Sequence, residues 1–340
     1  MLKKVRTRDA VGMVIAHDMT KIIPGEYKGA RFKRGHVIAE TDIDELLSMG
    51  KEHIYVDDGA NEKTVHEEEA AVRLAAAISG QNTKPAIVKE GRLNIKSTID
   101  GLVKVNRGLI ASINSIDSIT VATLHNNTPV KAGSIVAGTK VTPLYIEEEK
   151  IKQVEHLAAS KGKAVYVKPY LVKKVGVVVT GNEVYNGLIQ DRFADIMRSK
   201  LLEMGADIFA SVIVPDDEEK IAQAIIEMKN QGAELIATCG GLAVDPDDVT
   251  LEGIKRSGAS IIKYGLPIMP GAMGLLAILG ETPILGAPAG GLFHTTAIDV
   301  VLPRLIAGEI ITTEEAVEYG YGGLCLNCEH CQYPVCPFCR

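Results

Sequence analysis

The run KVGVVVT at 174–180 is apolar at successive positions, with no polar alternation. A strand of that kind can present neither face to water, so it belongs in a sheet covered on both sides, as parallel sheets are. The chain beyond it alternates such runs with helical spacing. Phe193, Ile196, Met197, Leu201 and Met204 fall on one face of a helix over 191–204. A strand at 210–214 follows, then a helix in PDDEEKIAQAIIEMKNQG that opens with acids, where the helix dipole favours them. ELIATC is another buried strand, VTLEGIKRSG a short helix and ASIIKY a strand. LLAILG and TPILGAP form a strand pair, and a last helix over 293–308 is interrupted near Pro303. The expected class is α/β, an open and mostly parallel sheet covered by helices, with its ligand site at the carboxyl ends of the strands.

The region before it reads as mixed α+β. A short helix capped by Thr41 or Asp42 ends near Gly50, a strand follows at 53–56, and 65–79 is helical. Residues 87–145 change to short β-rich segments (GRLNIKST, GLVKVNRG, ASINSI, ITVATLHN, GSIVAGTKV, TPLYI), and helix returns at 148–160. The expected organisation is an N-terminal α+β region at 1–85, a small mainly β unit with a linking helix at 86–168, the α/β domain at 169–319 and a cysteine-rich tail at 320–340. A net charge of −6 argues against nucleic acid as the main partner. The opening MLKKVRTRDAVG has basic residues but no apolar run after them, and the most apolar stretch, 272–291, is broken by Gly280, Glu281, Pro283 and Pro288. Neither a signal peptide nor a membrane span is expected, and the expected location is the cytoplasm.

Three strand ends carry the candidate site. Thr180-Gly181-Asn182-Glu183 runs from a buried strand into a glycine and a carboxylate. Gly240 and Gly241 follow ELIATC; paired glycines there let main-chain N–H groups turn toward an anion, and the helix starting near Thr250 adds its positive end. Asp245, Asp247 and Asp248 share that loop. Acids beside an anion nest conflict with it unless they cap the helix or hold a hard cation such as Mg²⁺, and Asp248 has the best spacing for the cap. The third end is Gly286-Ala287-Pro288-Ala289-Gly290-Gly291, and Pro270-Gly271 is a similar small-residue turn. His125 and His294 stand nearest these turns and read as capping or packed residues. No Walker loop, G-x-G-x-x-G fingerprint or G-x-S-x-G elbow occurs.

In their order, VVVTGNE, GLIQDRFADIMRSKLLEMGADI, VPDDEEKIAQAI, ATCGGLAVDPDDVT, MPG and GAPAGG make the stretch from Val172 to Gly308 resemble the molybdopterin-binding domain of the MogA, MoaB and MoeA families of molybdenum-cofactor biosynthesis. The resemblance implies Glu183 and Asp248 as catalytic residues. It implies Thr180, Gly181, Asn182, Gly240, Gly241, Asp245, Pro270, Gly271, Gly286, Pro288 and Gly290 as cofactor-binding residues. The implied ligand is molybdopterin or molybdenum cofactor, and homo-oligomers are common among such domains. The chain departs from the pattern at Asn182, which replaces a carboxylate, at Cys239, at Leu242 and Ala243, and in a Pro270-Gly271 turn that lacks its lysine. The competence-damage-inducible CinA family shares the fold, so nucleotide or pyrophosphate ligands stand beside the pterin.

Five of the six cysteines fall in the last sixteen residues: Cys325, Cys328, Cys331, Cys336 and Cys339, spaced C-x2-C-x2-C-x4-C-x2-C. Two C-x2-C pairs suit structural zinc, and the run ending in Cys336-Pro337 comes close to an iron–sulfur pattern, with His330 as a substitute ligand. After the glycine-rich 320–323 the tail is expected to move as a separate knuckle that engages a molybdoenzyme or pathway protein.

The leading functional expectation is a protein of molybdenum-cofactor biosynthesis, inserting molybdate or handling the cofactor. As an enzyme it would have molybdopterin molybdenumtransferase-like activity. Two alternatives stand beside it, a non-catalytic cofactor sensor, chaperone or adaptor and a CinA-like hydrolase of nucleotide pyrophosphates.

Overall fold

The computed structural model describes residues 2–23, 25–57, 63–89, 91–288 and 296–339. The chain divides into two compact units, one of Met1–Lys96, Asn106–Thr123 and Ile135–Val165, the other of Ser97–Val105, Leu124–Ser134 and Tyr166–Arg340.

The first unit is a mixed α+β assembly. Leu2–Arg6 pairs antiparallel with His53–Asp57, and Met19–Ile23 with Tyr27–Phe32. Thr83–Pro85, Arg92–Ser97, Ile135–Val141 and Ile119–Thr123 lie side by side in a four-stranded sheet. Helices Glu67–Ile78 and Glu148–Lys161 are bridged by Arg73, which reaches Glu148 and Glu155 at 2.8 Å each. One segment differs from the sequence reading: Arg107–Asn114, which includes part of ASINSI, is a helix and not a strand. Leu109 and Ile113, four residues apart, both turn inward, and Asn106 caps the first turn by accepting from the Leu109 amide at 3.0 Å.

In the second unit the six strands of the main sheet are β1 Lys174–Thr180, β2 Asp207–Val214, β3 Leu235–Cys239, β4 Ser260–Tyr264, β5 Leu275–Leu279 and β6 Thr282–Ala287. Their order is β2-β1-β3-β6-β5-β4. β1 runs parallel to both β2 and β3, and β3 parallel to β6, while β5 is antiparallel to its two neighbours. This is the expected α/β architecture, a mixed and mostly parallel sheet flanked by helices. The helices are α1 Asn182–Tyr185, α2 Phe193–Leu202, α3 Glu218–Asn230, α4 Thr250–Arg256, α5 Ala297–Ile306 and α6 Thr313–Glu318.

The uninterrupted apolar character of β1 has the cause expected of it. Val175, Val177 and Val179 face a core shared with α2 and α5, and Val178 faces the opposite core with α3 and α4. At Gly176 α3 comes so close that an added Cβ would lie 3.1 Å from the Met228 sulfur. α5 continues through Pro303. Among the described residues no helix is long and apolar enough to cross a membrane.

A buried ion network ties α5 to the segment after it. Arg304 reaches Glu309 at 2.7 Å, Glu315 at 2.8 Å and the Tyr319 hydroxyl at 3.1 Å, and Lys104 also meets Glu309 at 2.7 Å. Charges taken out of water persist only where each finds such partners.

Candidate functional site

β1 and β3 end side by side, and their ends are locked through hydroxyls. The Thr180 hydroxyl donates to the Cys239 carbonyl at 3.1 Å and lies 2.8 Å from the Thr250 hydroxyl, which therefore donates to it. The glycines after β3 thread this lock. Gly240 has φ +94°, and a Cβ there would fall 2.3 Å from the Thr180 carbonyl oxygen. Gly241 has φ +54°, and its Cβ would fall 2.4 Å from the Thr250 hydroxyl. Only glycine satisfies both the backbone angle and the space. The Thr250 amide then donates to the Gly241 carbonyl at 3.0 Å, joining the pair to α4.

These strand ends open on a cleft of about 1020 Å³. The structure brings Thr180, Gly181, Asn182, Glu183, Gly240, Gly241, Asp245, Asp248 and Pro288 to its wall. It places the other expected residues elsewhere. Gly286 lies within β6, where a Cβ would meet Leu275 at 2.8 Å and Leu242 at 2.9 Å. Gly271 is packed on the start of α5, where a Cβ would fall 2.7 Å from Ala297, and Pro270 lines a second cavity under the C-terminal tail. Gly290 and His294 lie outside the described residues.

The departures at Leu242 and Asn182 have structural reasons. Leu242 is buried in the core beneath the cleft, in space that Gly286 leaves open, and its carbonyl accepts from the Tyr264 hydroxyl at 2.8 Å. Asn182 and Asp216 exchange hydrogen bonds: the Asn182 amide donates to Asp216 at 2.8 Å, and the Asp216 amide to the Asn182 side chain at 3.2 Å.

Asp216 is a cleft residue that sequence reasoning missed, and so is Arg192. Asp216 stands two residues past the end of β2, and its neighbour Asp217 already caps α3 by accepting from the Glu219 and Lys220 amides at 3.0 Å each. An acid beyond what the cap needs was the available signal. Burial pushes the Asp216 carboxyl above the usual range, nearby Glu183, Asp248 and Asp247 push it further, and the Asn182 amide opposes them.

Asp248 does not cap α4, whose N-cap is Val249. Its carboxylate turns back to accept from the Asp245 amide at 2.9 Å and closes its own loop. Asp191 accepts from the Phe193 amide at 2.7 Å, so α2 begins at Phe193. Burial, and then the charge of Asp191, drive the Cys239 thiol well above its ordinary range, so it is a neutral wall and not a nucleophile.

The metal expectations are overturned. Among the described residues no group of three or more His, Cys, Asp or Glu side chains is placed to hold a metal ion. A zinc–thiolate centre needs four ligands about 2.3 Å from one point. Cys325, Cys328, Cys331 and Cys336 instead surround a cavity of about 730 Å³. Neither zinc nor an iron–sulfur cluster in the tail fits this arrangement, and the cleft acids form no such group for Mg²⁺. The expectation of a separate partner-binding knuckle is corrected too. The tail packs on its own domain: Leu324 bridges to Met269, Phe338 is buried, and Cys325, Cys336 and Cys339 lie against the core. Gly323 is pressed so close that a Cβ would sit 2.3 Å from the Pro267 carbonyl. Three of the five tail cysteines are thus spent on intradomain packing.

Comparison with known proteins agrees with this picture of the second unit. Residues 176–307 match a family model described as a probable molybdopterin binding domain, and residues 4–58 match one described only as a domain of unknown function. A CinA-like protein of Mycobacterium tuberculosis is 37% identical over 83 residues, 24% of this chain and 19% of its own length. The chain thus spans about a fifth of the curated relatives it matches. Among solved structures, MoaB of Thermus thermophilus is 23% identical with a TM-score of 0.35, covering 40% of this chain and 98% of that one. CinA of Thermoplasma acidophilum, a protein of unknown function, is 21% identical with a TM-score of 0.30, covering 35% of this chain and 89% of that one.

Proposed function

We propose that the strand-end cleft binds a nucleotide pyrophosphate and that the protein hydrolyses it, the CinA-like reading of this fold. The observation that carries the proposal is the Gly240-Gly241 pair, which lines the cleft with main chain from a position where no side chain fits; the Gly240 amide is held on the Ala287 carbonyl at 3.4 Å, so the Gly241 main chain is the part offered to a ligand. Bare main chain at the end of a parallel strand suits phosphate oxygens. The 37% identity to CinA-like proteins over 83 residues supports this reading over molybdate insertion.

The acids beside the glycines have a place in the same reading. Glu183 faces the cleft next to Asp216 and is the candidate base for the attacking water. Burial and its acidic neighbours raise the Asp216 carboxyl, a shift toward the neutral form that eases the approach of a pyrophosphate. In the proposed step water oxygen bonds to one phosphorus as the bridging P–O bond breaks. The proton passes to Glu183, and the departing phosphate keeps the electron pair.

The test is phosphorus NMR of the full chain with a panel of nucleoside diphosphates and dinucleotide pyrophosphates. We expect cleavage of at least one, lost in Glu183→Gln with binding retained. Binding without cleavage by the intact chain supports the sensor or adaptor reading instead. Because the family description names molybdopterin, that phosphorylated pterin is the competing ligand; its exclusive binding overturns the proposal.

A further inference from the structure

The tail thiols are unequal. Cys325 and Cys336 are half-buried, and both pack against the core. The Cys325 sulfur also accepts from the Asn327 amide at 3.4 Å. Cys339 packs there as well, with its amide bonded to the Gly322 carbonyl at 2.9 Å. Cys328 and Cys331, by contrast, are exposed at the mouth of the 730 Å³ cavity. The two residues between them form a bend.

The chain on either side of this pair is fixed. Upstream, the Met269 amide donates to the Gly323 carbonyl at 2.7 Å and the Cys325 amide to the Met269 carbonyl at 2.8 Å. Downstream, the Tyr333 hydroxyl donates to the Asp299 carbonyl at 3.1 Å, and Phe338 is buried. Cys328 and Cys331 therefore sit on a short arch pinned at both ends. Closing so small a loop costs little chain entropy, and it disturbs none of the packed cysteines.

We propose that Cys328 and Cys331 are a redox-active dithiol that exchanges with small-molecule disulfides, a role independent of the cleft's ligand. The Cys328 thiolate attacks one sulfur of the oxidant and releases the first small thiol. The Cys331 thiolate then attacks the Cys328 sulfur of the mixed disulfide, forming the internal S–S bond and releasing the second small thiol. One disulfide is consumed and one is formed. Two electrons pass to the oxidant, and the two protons leaving the protein thiols end on the released thiols.

The experiment is equilibration of the fully reduced full-length chain with glutathione and glutathione disulfide at graded ratios. Alkylation, intact mass and non-reducing peptide mapping then follow the thiols. The expected result is the loss of two alkylatable thiols per chain, with Cys328 linked to Cys331 and Cys325, Cys336 and Cys339 still alkylated. Cys331→Ser should trap a glutathione adduct on Cys328, because the resolving thiol is gone. The proposal is overturned if both thiols stay alkylatable at every ratio, if pairing joins two chains or involves another cysteine, or if Cys331→Ser gathers no adduct on Cys328.

Discussion

The Tyr333 hydroxyl donates to the main-chain carbonyl of Asp299 at 3.1 Å, and that carbonyl is the one Pro303, four residues on and lacking an N–H, cannot serve within α5. A residue of the tail thus satisfies a helix group that proline leaves open. Tyr333→Phe removes the donor and keeps the ring. We expect a loss of about 1 kcal/mol, read as a lower denaturant midpoint with an unchanged slope. An unchanged midpoint would mean that the carbonyl is served equally well by solvent.

The glycine pair makes a sharper demand. Gly240→Ala places a methyl group 2.3 Å from the Thr180 carbonyl at a φ of +94°. A displaced strand end and a strained backbone angle together should cost about 2 kcal/mol. Binding of a nucleotide pyrophosphate should fall with it, since the glycine main chain is the proposed contact. Calorimetry and ligand titration read the two effects separately. Weakened stability with full affinity would move the ligand away from Gly240.

Asp216 should make stability depend on pH with a definite sign. Its carboxyl is raised above the ordinary value of 3.8, first by burial and then by Glu183, Asp248 and Asp247. A raised folded pKa favours the protonated native state. That contribution is complete below the unfolded value and is lost as pH rises through the folded one. Asp216→Asn keeps an oxygen for the Asn182 amide and cannot ionise. The variant should therefore be more stable than the parent at neutral pH, and the difference should vanish in acid. Urea melts at several pH values measure this, and a variant less stable at pH 7 would refute it.

Glu309 has the opposite sign. Burial would raise its carboxyl, but hydrogen bonds from Lys104 and Arg304 outweigh burial and hold it below the usual 4.5. Its contribution is present above the unfolded value and is lost as pH falls through the folded one. Glu309→Gln leaves three cations, Lys104, Lys168 and Arg304, without their shared counter-charge, Arg304 being only 5% exposed. The cost at neutral pH should be about 3 kcal/mol, read as a fall in thermal midpoint that narrows toward acid.

Much of the α/β unit was legible because its signals are local. Consecutive valines in β1 and the acids that open α3 follow from rules of period and dipole acting within one segment. The paired glycines after β3 were legible for the same reason: a strand that ends on two glycines announces a backbone no side chain can follow. The helix at Arg107–Asn114 was lost because six residues of ASINSI fit a β spacing about as well as a helical one. The Asn106 cap that settles it lies just upstream of that window.

What tertiary structure alone decided is which residues meet. Asp216 enters the cleft because β2 lies beside β1, a neighbourhood that spacing does not encode. Gly286 and Gly271, alike in sequence to the cleft glycines, fill packing contacts with Leu275 and Ala297. Of the five cysteines at metal-like spacing, four surround a cavity without converging on a point, because several are drawn into the domain's own core. Spacing along a chain determines which groups can be neighbours within a turn. Whether they converge across the fold depends on where burying apolar surface leaves each segment, and that is a property of the packed whole.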